Sequence, residues 1–221
     1  MCSACNNVVK PQAAAPDTHI SYDSLRAQVK QVQADIRKQY NRADSANKDS
    51  IIKATRVYLL NVIHQSFFAR WYNTPWEFYG TTQKPQQGAI ACGYFVTTIL
   101  QHVGFNIPRV AWAQLPSESM MKKMQLQLKR FPNKTIEEFE KHFANKPDGL
   151  YIVGLDSHVG FISKYKDKLQ FIHSNYYQRS IGVMAEPLNG YNPLSHSKYR
   201  VLGEVLDDNA IEHWIEGYKY E

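Results

Sequence analysis

The order of hydrophobic patterns along the chain predicts an α+β fold whose strands form an antiparallel sheet. Helical spacing dominates up to about residue 144, and short runs rich in β-branched and aromatic residues follow from residue 150. The two patterns do not alternate, so nothing indicates the βαβ units of a parallel sheet. A chain of 221 residues is long enough to bury one large core, or a core with an appendage.

The first 70 residues divide into a tail and a helical arm. Residues 1–18, with an alanine run and two prolines, are expected to form a flexible tail. Residues 19–70 carry two apolar stripes at three- and four-residue spacing, which predict two helices separated by the polar residues 41–47. Residues 71–221 are expected to form the core of the protein.

The core region is predicted to place three helices before its strands and one after them. Loops punctuated by proline and glycine lead to a helix that begins at Cys92 and ends near Val103. Residues 117–129 and 135–144 predict two more, the second opened by a capping box of Thr135 and Glu138. The predicted strands are residues 150–155, 159–163, 169–173, 180–184 and 199–206, and a last helix covers 209–218.

Composition argues against several classes of protein. No apolar run approaches the roughly 18 residues that cross a bilayer, so an integral membrane segment is not expected. No spacing of histidines and cysteines resembles a zinc site, and no metal or other cofactor is predicted. The net charge of +6 suits an anionic partner. Nucleic acid is not predicted, because no basic stripe is interleaved with aromatic residues.

The three cysteines do not make a disulfide framework, because Cys2 and Cys5 lie in the tail and Cys92 stands alone. Cys92 falls on the first turn of its helix, where unpaired N–H groups and partial positive charge stabilise a thiolate and lower the thiol pKa. Gly93 would let a substrate backbone approach closely. By itself, this placement fits a buried structural thiol as well as a nucleophile.

Two histidines on neighbouring predicted strands offer the base that a nucleophilic cysteine needs. His158 stands at the mouth of one strand and His173 ends the next. A hairpin centred near Tyr165 and Lys166 would make the two histidines cross-strand neighbours. One imidazole could then orient the other toward Cys92, as a cysteine–histidine–polar triad requires.

In this order, the motifs resemble the papain-like cell-wall cysteine hydrolases of the NlpC and CHAP type, over about residues 74–175. The residues that carry the resemblance are Cys92 at a helix start, Ser157-His158-Val159-Gly160, and Phe171-Ile172-His173-Ser174. The resemblance implies a papain-like core in which the Cys92 helix packs on a small antiparallel sheet. It implies Cys92 as nucleophile, His158 as base and His173 as the orienting group, without a cofactor. The implied activity is that of a bacterial thiol protease or amidase acting on peptidoglycan peptides or related isopeptides.

Departures from the family's pattern concern the substrate. Members that cut beside a free amino terminus usually carry Asp-Cys-Ser-Gly, whereas Ala91 and Gly93 flank the cysteine here, so fragments that begin with free L-alanine are expected to be poor substrates. Trp76 replaces a family tyrosine and is predicted to line the groove, with core packing as the alternative. Gln86, six residues before Cys92, is spaced like the oxyanion-hole glutamine of papain, and Gln87 competes for that role.

The cellular location and the catalytic role both have alternatives. Ser3-Ala4-Cys5 is similar to a lipoprotein cleavage site, which suggests a lipid anchor at Cys5 and a place in the cell envelope or periplasm. A plain disordered tail, in a protein of the envelope or the cytoplasm, is the other interpretation. The alternative to an enzyme is a non-catalytic peptide- or glycan-binding module on the same scaffold, with Trp76 and Tyr79 lining its groove.

Overall fold

Residues 20–221 are described by a computed structural model that combines helices with a six-stranded antiparallel sheet. The predicted α+β class is therefore confirmed. Cys2 and Cys5, and with them the predicted tail and lipid anchor, lie outside the described residues.

The arm consists of two long helices whose first turns are capped by side chains. Ser21 accepts the Ser24 N–H at the start of the first helix, and Asp44 accepts the Asn47 N–H at the start of the second. The second helix continues through a π-helical segment into one further turn. The elements are α1 Tyr22–Arg42, α2 Ser45–Val62, the π-helical segment Ile63–Phe68 and α3 Ala69–Trp71. The polar break spans only residues 43–44, so it is shorter than predicted.

The helices of the core surround the sheet. They are α4 Cys92–His102, α5 Arg109–Ala113, α6 Ser117–Lys123, α7 Ile136–Lys141, α8 Pro193–His196 and α9 Asp208–Glu216. The helix start at Cys92 and the capping box of Thr135 and Glu138 are as predicted. The short helices α5 and α8 are not signalled by the hydrophobic pattern, because each has fewer than two turns.

The six strands follow one another antiparallel in the order β1-β6-β2-β3-β4-β5. They are β1 Leu128–Pro132, β2 Gly149–Leu155, β3 Val159–Tyr165, β4 Lys168–Ser174, β5 Val183–Glu186 and β6 Tyr199–Glu204. The prediction of a helix over 117–129 is wrong in its second half. Helix α6 ends at Lys123, Gln125 adopts a left-handed φ of 62°, and Leu128 then pairs with Gly203 on β6. Strand β5 also begins three residues later than predicted.

The hairpin between β3 and β4 has a different register from the predicted one. Lys166 and Asp167 form its two-residue turn, both with positive φ, and Tyr165 pairs with Lys168. The turn is therefore centred one residue later, which moves the register by two. Continued along the strands, this register sets Gly160 opposite His173, so His158 and His173 are cross-strand neighbours on a diagonal.

The arm and one face of the sheet share a continuous apolar core. Val29 from α1, Leu59 from α2, Phe95 from α4, Phe161 from β3 and Trp214 from α9 all belong to it, and each is nearly or fully buried. Strand residues that point to the opposite face join a second cluster beneath α7 and α8. Helix α4 packs beside β3, and the sulfur of its first residue, Cys92, lies close to the backbone N–H of Val159 at the start of that strand. Within residues 20–221, no helix has the length and apolar character to cross a membrane.

Candidate active site

The thiol of Cys92 lies at the uncapped first turn of α4. Ala91 holds the N-cap position with an extended backbone, and no side chain of the described residues caps this end. The first-turn N–H groups are therefore free of intrahelical partners. The backbone N–H groups of Val159, Gly93 and Cys92 itself lie close enough to the sulfur to lower its pKa.

Contacts with β4 and with the preceding loop fix the segment that leads into Cys92. Ser174, the residue after His173, donates its hydroxyl to the Ile90 carbonyl at 2.6 Å. The Ala91 N–H donates to the Gly80 carbonyl at 2.8 Å. A Cβ on Gly80 would lie 2.7 Å from the Ile90 nitrogen, so only glycine allows this close approach. These contacts tie the position of Cys92 to the strand that carries His173.

Gly93 lines the same cleft as Cys92, but packing against the protein's own backbone is what requires a glycine at this position. A Cβ there would lie 2.3 Å from the carbonyl oxygen of Ala113 at the end of α5. The close backbone approach at Gly93 is thus made by the protein's own chain.

A hydrogen-bonded row of three side chains crosses β3, β4 and β5. His158 Nε2 and His173 Nδ1 are 2.8 Å apart, and His173 Nε2 and Glu186 Oε1 are 2.7 Å apart. His173 pairs directly with Met184, so Glu186 is its diagonal neighbour, just as His158 is on the other side. Diagonal positions share a sheet face, and long side chains can bridge them. We call this row the His–His–Glu relay.

Gly160 leaves the space that the relay occupies. A Cβ on Gly160 would lie 2.8 Å from the Cβ of His173 and 2.6 Å from the Phe171 ring. Both distances are shorter than van der Waals contact allows. The glycine of the Ser-His-Val-Gly motif therefore lets the His173 side chain stand beside His158.

The turn that carries His158 is anchored by Asp156. The Leu155 N–H donates to the His158 carbonyl at 2.8 Å, which closes the tight connection between β2 and β3. The Asp156 carboxylate accepts the Lys198 N–H at 2.7 Å and the Ser197 hydroxyl at 2.9 Å. The Lys198 N–H is the main reason why the pKa of Asp156 is lowered. These bonds fasten the turn to the start of β6.

The hydrogen bonds to Glu186 set the tautomers of both histidines. Glu186 Oε1 accepts from Asn175 Nδ2 at 3.1 Å and also faces His173 Nε2, which indicates that Glu186 acts as an acceptor. His173 then carries its proton on Nε2 and accepts the His158 Nε2–H at its own Nδ1. His158 Nδ1 is left with a free lone pair, and this buried atom has no hydrogen-bond partner within residues 20–221.

Burial keeps the thiol and both imidazoles neutral. It lowers the pKa of His158 well below its ordinary value, with a smaller contribution from His173, and it lowers the pKa of His173 to about 3. It raises the pKa of the Cys92 thiol, outweighing the backbone N–H groups that act in the opposite direction. The net shift at Cys92 is opposite to the one that the helix start alone predicts. The resting site therefore contains a protonated thiol and a neutral His158 imidazole.

Cys92 and His158 line one cleft of about 550 Å³. Its size is within the range of small-molecule sites. The other large side chains in its wall are aromatic, namely Trp76, Phe78, Tyr79, Tyr94 and Tyr176.

Trp76 lies in the wall of this cleft and is half-buried. The Arg179 guanidinium stacks over its ring at 4.9 Å, and the Tyr176 ring lies 5.9 Å away. The Trp76 Nε1 atom is buried and has no hydrogen-bond partner among residues 20–221.

Gln86 and Gln87 are not brought to the cleft. They line a separate pocket at the base of the arm. The Gln86 amide donates to the Tyr72 carbonyl at 3.1 Å, and its backbone is held at a φ of 58°. The structure therefore gives no support to an oxyanion-hole role for either glutamine. An amide that does line the cleft is that of Gln114, on the turn after α5.

Glu186 and Gln114 are the members of the site that sequence reasoning missed. Glu186 lies two residues after Met184, the direct partner of His173, and this position on the sheet is the signal that could have identified it. The signal can be read only when the register between β4 and β5 is known. Gln114 follows the short helix α5, which the sequence does not signal.

No model of a known protein family, no curated protein and no solved structure matches the chain. The resemblance to papain-like cell-wall hydrolases therefore stays a prediction.

Proposed function

We propose that the chain is a cysteine amidase or peptidase, built on a papain-like core, that hydrolyses an amide bond through Cys92, His158 and His173. One observation carries the proposal: the His–His–Glu relay ends in a buried, unpartnered His158 Nδ1 at a cleft that also contains the Cys92 thiol. A buried polar atom without a partner costs about 1–3 kcal/mol. Such a cost calls for an explanation, and accepting a proton from Cys92 during catalysis supplies one.

In the first half of the reaction, an acyl group passes to Cys92. His158 Nδ1 takes the thiol proton while Sγ attacks the carbonyl carbon, forming the C–S bond and placing negative charge on the carbonyl oxygen. The intermediate then collapses, and the C–N bond breaks with its electron pair moving to nitrogen. His158 returns its proton to that nitrogen, and the amine leaves.

In the second half, water regenerates the thiol. His158 takes a proton from the water molecule as its oxygen attacks the thioester carbonyl. The C–S bond breaks, the sulfur regains the proton, and a carboxylic acid is released. The two halves together consume one water and need no cofactor.

Glu186 supports the charge that forms on His158. Protonation of His158 creates an imidazolium in a site where burial disfavours that charge. The Glu186 carboxylate, connected through His173, supplies compensating negative charge and keeps the proton-accepting nitrogen directed away from the relay. We place Glu186 as a positioning residue that acts through His173.

The substrate and location follow only from the resemblance. It predicts a peptidoglycan fragment or a related isopeptide in the envelope of a bacterium. The uncharged flanks Ala91 and Gly93 predict poor activity on fragments that begin with free L-alanine, and hydrolysis of such a fragment at a high rate would contradict this.

Turnover of p-nitrophenyl acetate tests the catalytic role of Cys92. The reference protein carries Cys2→Ser and Cys5→Ser, so that Cys92 is its one thiol. We expect this protein to release p-nitrophenolate in repeated turnovers, and the same protein with Cys92→Ala to show the background rate of the ester. Equal rates with and without the Cys92 thiol would refute the proposal.

The alternative, a non-catalytic binding module on the same scaffold, is favoured by one feature. Burial raises the pKa of Cys92, as expected for an inert thiol. Under this alternative, the reference protein and its Cys92→Ala variant would release p-nitrophenolate at the same background rate.

A further inference from the structure

We infer that the acyl group of the substrate is uncharged and apolar where it adjoins the scissile carbonyl. The inference rests on the proposed function and names the chemical class that the cleft accepts.

Within residues 20–221, no lysine, arginine, aspartate or glutamate lines the wall of the cleft. Beyond Cys92, His158 and the five aromatic side chains, it is formed by small and neutral residues: Thr81, Ala91, Gly93, Ala113, Gln114 and Ser157. A charged group entering this cleft would lose water without gaining an ionic partner. The chain as a whole is rich in charge, with 26 lysines and arginines and 20 aspartates and glutamates, so the uncharged wall is a property of the cleft and not of the composition.

Two arginines that stack on aromatic residues of the wall have their guanidinium groups bound elsewhere. Arg109 is buried behind Tyr94, and it donates to the Thr98 hydroxyl at 2.7 Å and to the Thr81 carbonyl at 2.8 Å. Arg179 stacks on Trp76 and lines the neighbouring pocket. Neither guanidinium lines the cleft that contains the thiol.

Two of the wall's aromatic side chains are exposed to an unusual degree. Phe78 is 70% exposed and Tyr79 is 87% exposed, with their ring centroids 5.0 Å apart. Together with the partly buried Trp76 and Tyr94 they form an apolar surface beside the thiol. Exposed aromatic surface of this kind marks a site that an apolar group covers.

The chemistry determines which part of the substrate meets this surface. The acyl carbon becomes bonded to Cys92 Sγ, so the atoms next to it must lie in the cleft during both halves of the reaction. The leaving group departs after the first half. An apolar wall around the sulfur therefore selects chiefly for the acyl group.

A series of p-nitrophenyl esters tests the inference with one leaving group. Acetate, butyrate and hexanoate add four methylenes from the first to the last. Each methylene that is fully removed from water raises kcat/KM about fourfold, and each that is half removed raises it about twofold. With four methylenes half removed, kcat/KM should rise about 16-fold from acetate to hexanoate. The succinate monoester, which ends in a carboxylate, should fall well below butyrate.

Two variants connect the preference to the cleft. Phe78→Ala should bring the ratio of hexanoate to acetate kcat/KM toward one. Tyr191→Ala, which removes another highly exposed aromatic ring that lies outside the cleft wall, should leave the ratio unchanged.

The outcomes separate this inference from the proposed function. Equal rates along the ester series, or fastest turnover of the succinate ester, would overturn the apolar acyl group while Cys92-dependent hydrolysis stands. A ratio that Phe78→Ala leaves intact would also overturn it. Background turnover of every ester by the reference protein would refute the proposed function itself.

Discussion

Replacing Glu186 with glutamine perturbs the far end of the His–His–Glu relay without removing the proposed catalytic groups. Glutamine fills nearly the same volume but lacks the negative charge. When its amide nitrogen faces His173 Nε2 it donates to that atom, which moves the His173 proton to Nδ1. His158 would then accept at Nε2 and carry its own proton on Nδ1, the atom that takes the thiol proton in the proposed mechanism. Both steps of the relay are short hydrogen bonds, of 2.7 Å and 2.8 Å, so a change of donor at Glu186 is passed on to His158.

The expected magnitude follows from the proposed role of His158 as general base. Loss of a positioned general base costs about 10²–10⁴ in rate, so we expect kcat for p-nitrophenyl acetate to fall by at least about 100-fold. A hydrogen bond to a charged group contributes about 1.5–3 kcal/mol, so the variant loses at most a few kcal/mol and stays folded at 25 °C. Glu216→Gln, on an exposed position of α9, is the matched control and should change neither quantity.

Three measurements decide the outcome: kcat, the melting temperature, and the ¹⁵N shifts of the His158 ring. A purely structural role for Glu186 would lower the melting temperature and leave the tautomer of His158 unchanged. If Glu186→Gln keeps kcat within threefold of the parent protein, the relay does not determine the tautomer in which His158 acts, and the role proposed for Glu186 is refuted.

Further predictions concern the thiol, the sheet and the loops. Because burial raises the pKa of Cys92, the thiolate fraction should grow about tenfold per pH unit from pH 6 to 8, and alkylation of the reference protein by iodoacetamide should grow with it; a flat rate below pH 7 would instead reveal a thiolate–imidazolium pair. Gly160→Ala should displace the His173 ring, reducing kcat and lowering the free energy of unfolding by about 1–3 kcal/mol; unchanged kinetics would contradict the proposed use of this space. Trp76→Ala should reduce kcat/KM while costing less than the roughly 3–5 kcal/mol of a fully buried aromatic residue, and a collapsed melting temperature would assign it to the core. Gln86→Ala should leave kcat within about threefold, because its amide lies outside the cleft; a 100-fold loss would restore the oxyanion role.

Much of the fold is encoded locally and could be predicted from the sequence. The helix start at Cys92 follows from the Pro- and Gly-rich loop before it and the apolar face after it. The capping box of Thr135 and Glu138 is a short-range hydrogen-bonding pattern that the structure confirms. Strand β1 was missed because its pairing with β6 joins residues some 70 positions apart, which no local pattern records.

The site was only partly predictable, because sheet register connects its members. His158 and His173 were expected to meet, and they do so as diagonal rather than direct neighbours. The sequence predicts a turn here but centres it one residue early, because the left-handed residues Lys166 and Asp167 include no glycine to mark the exact position. Glu186 reaches His173 through the register between β4 and β5, which no local pattern in the sequence records. Spacing along the chain predicts an oxyanion-hole role for Gln86, but its amide binds the Tyr72 carbonyl outside the cleft.

The proposed function makes Cys92 the residue that carries the acyl group, and mass spectrometry of an acid-quenched reaction tests this most directly. The protein with Cys2→Ser and Cys5→Ser is mixed with p-nitrophenyl hexanoate and quenched within the first turnovers. We predict one hexanoyl group per protein, on the peptide that contains Cys92 and released by hydroxylamine as a thioester. Continued turnover with the acyl group on another residue, or with none on Cys92, would contradict the proposal.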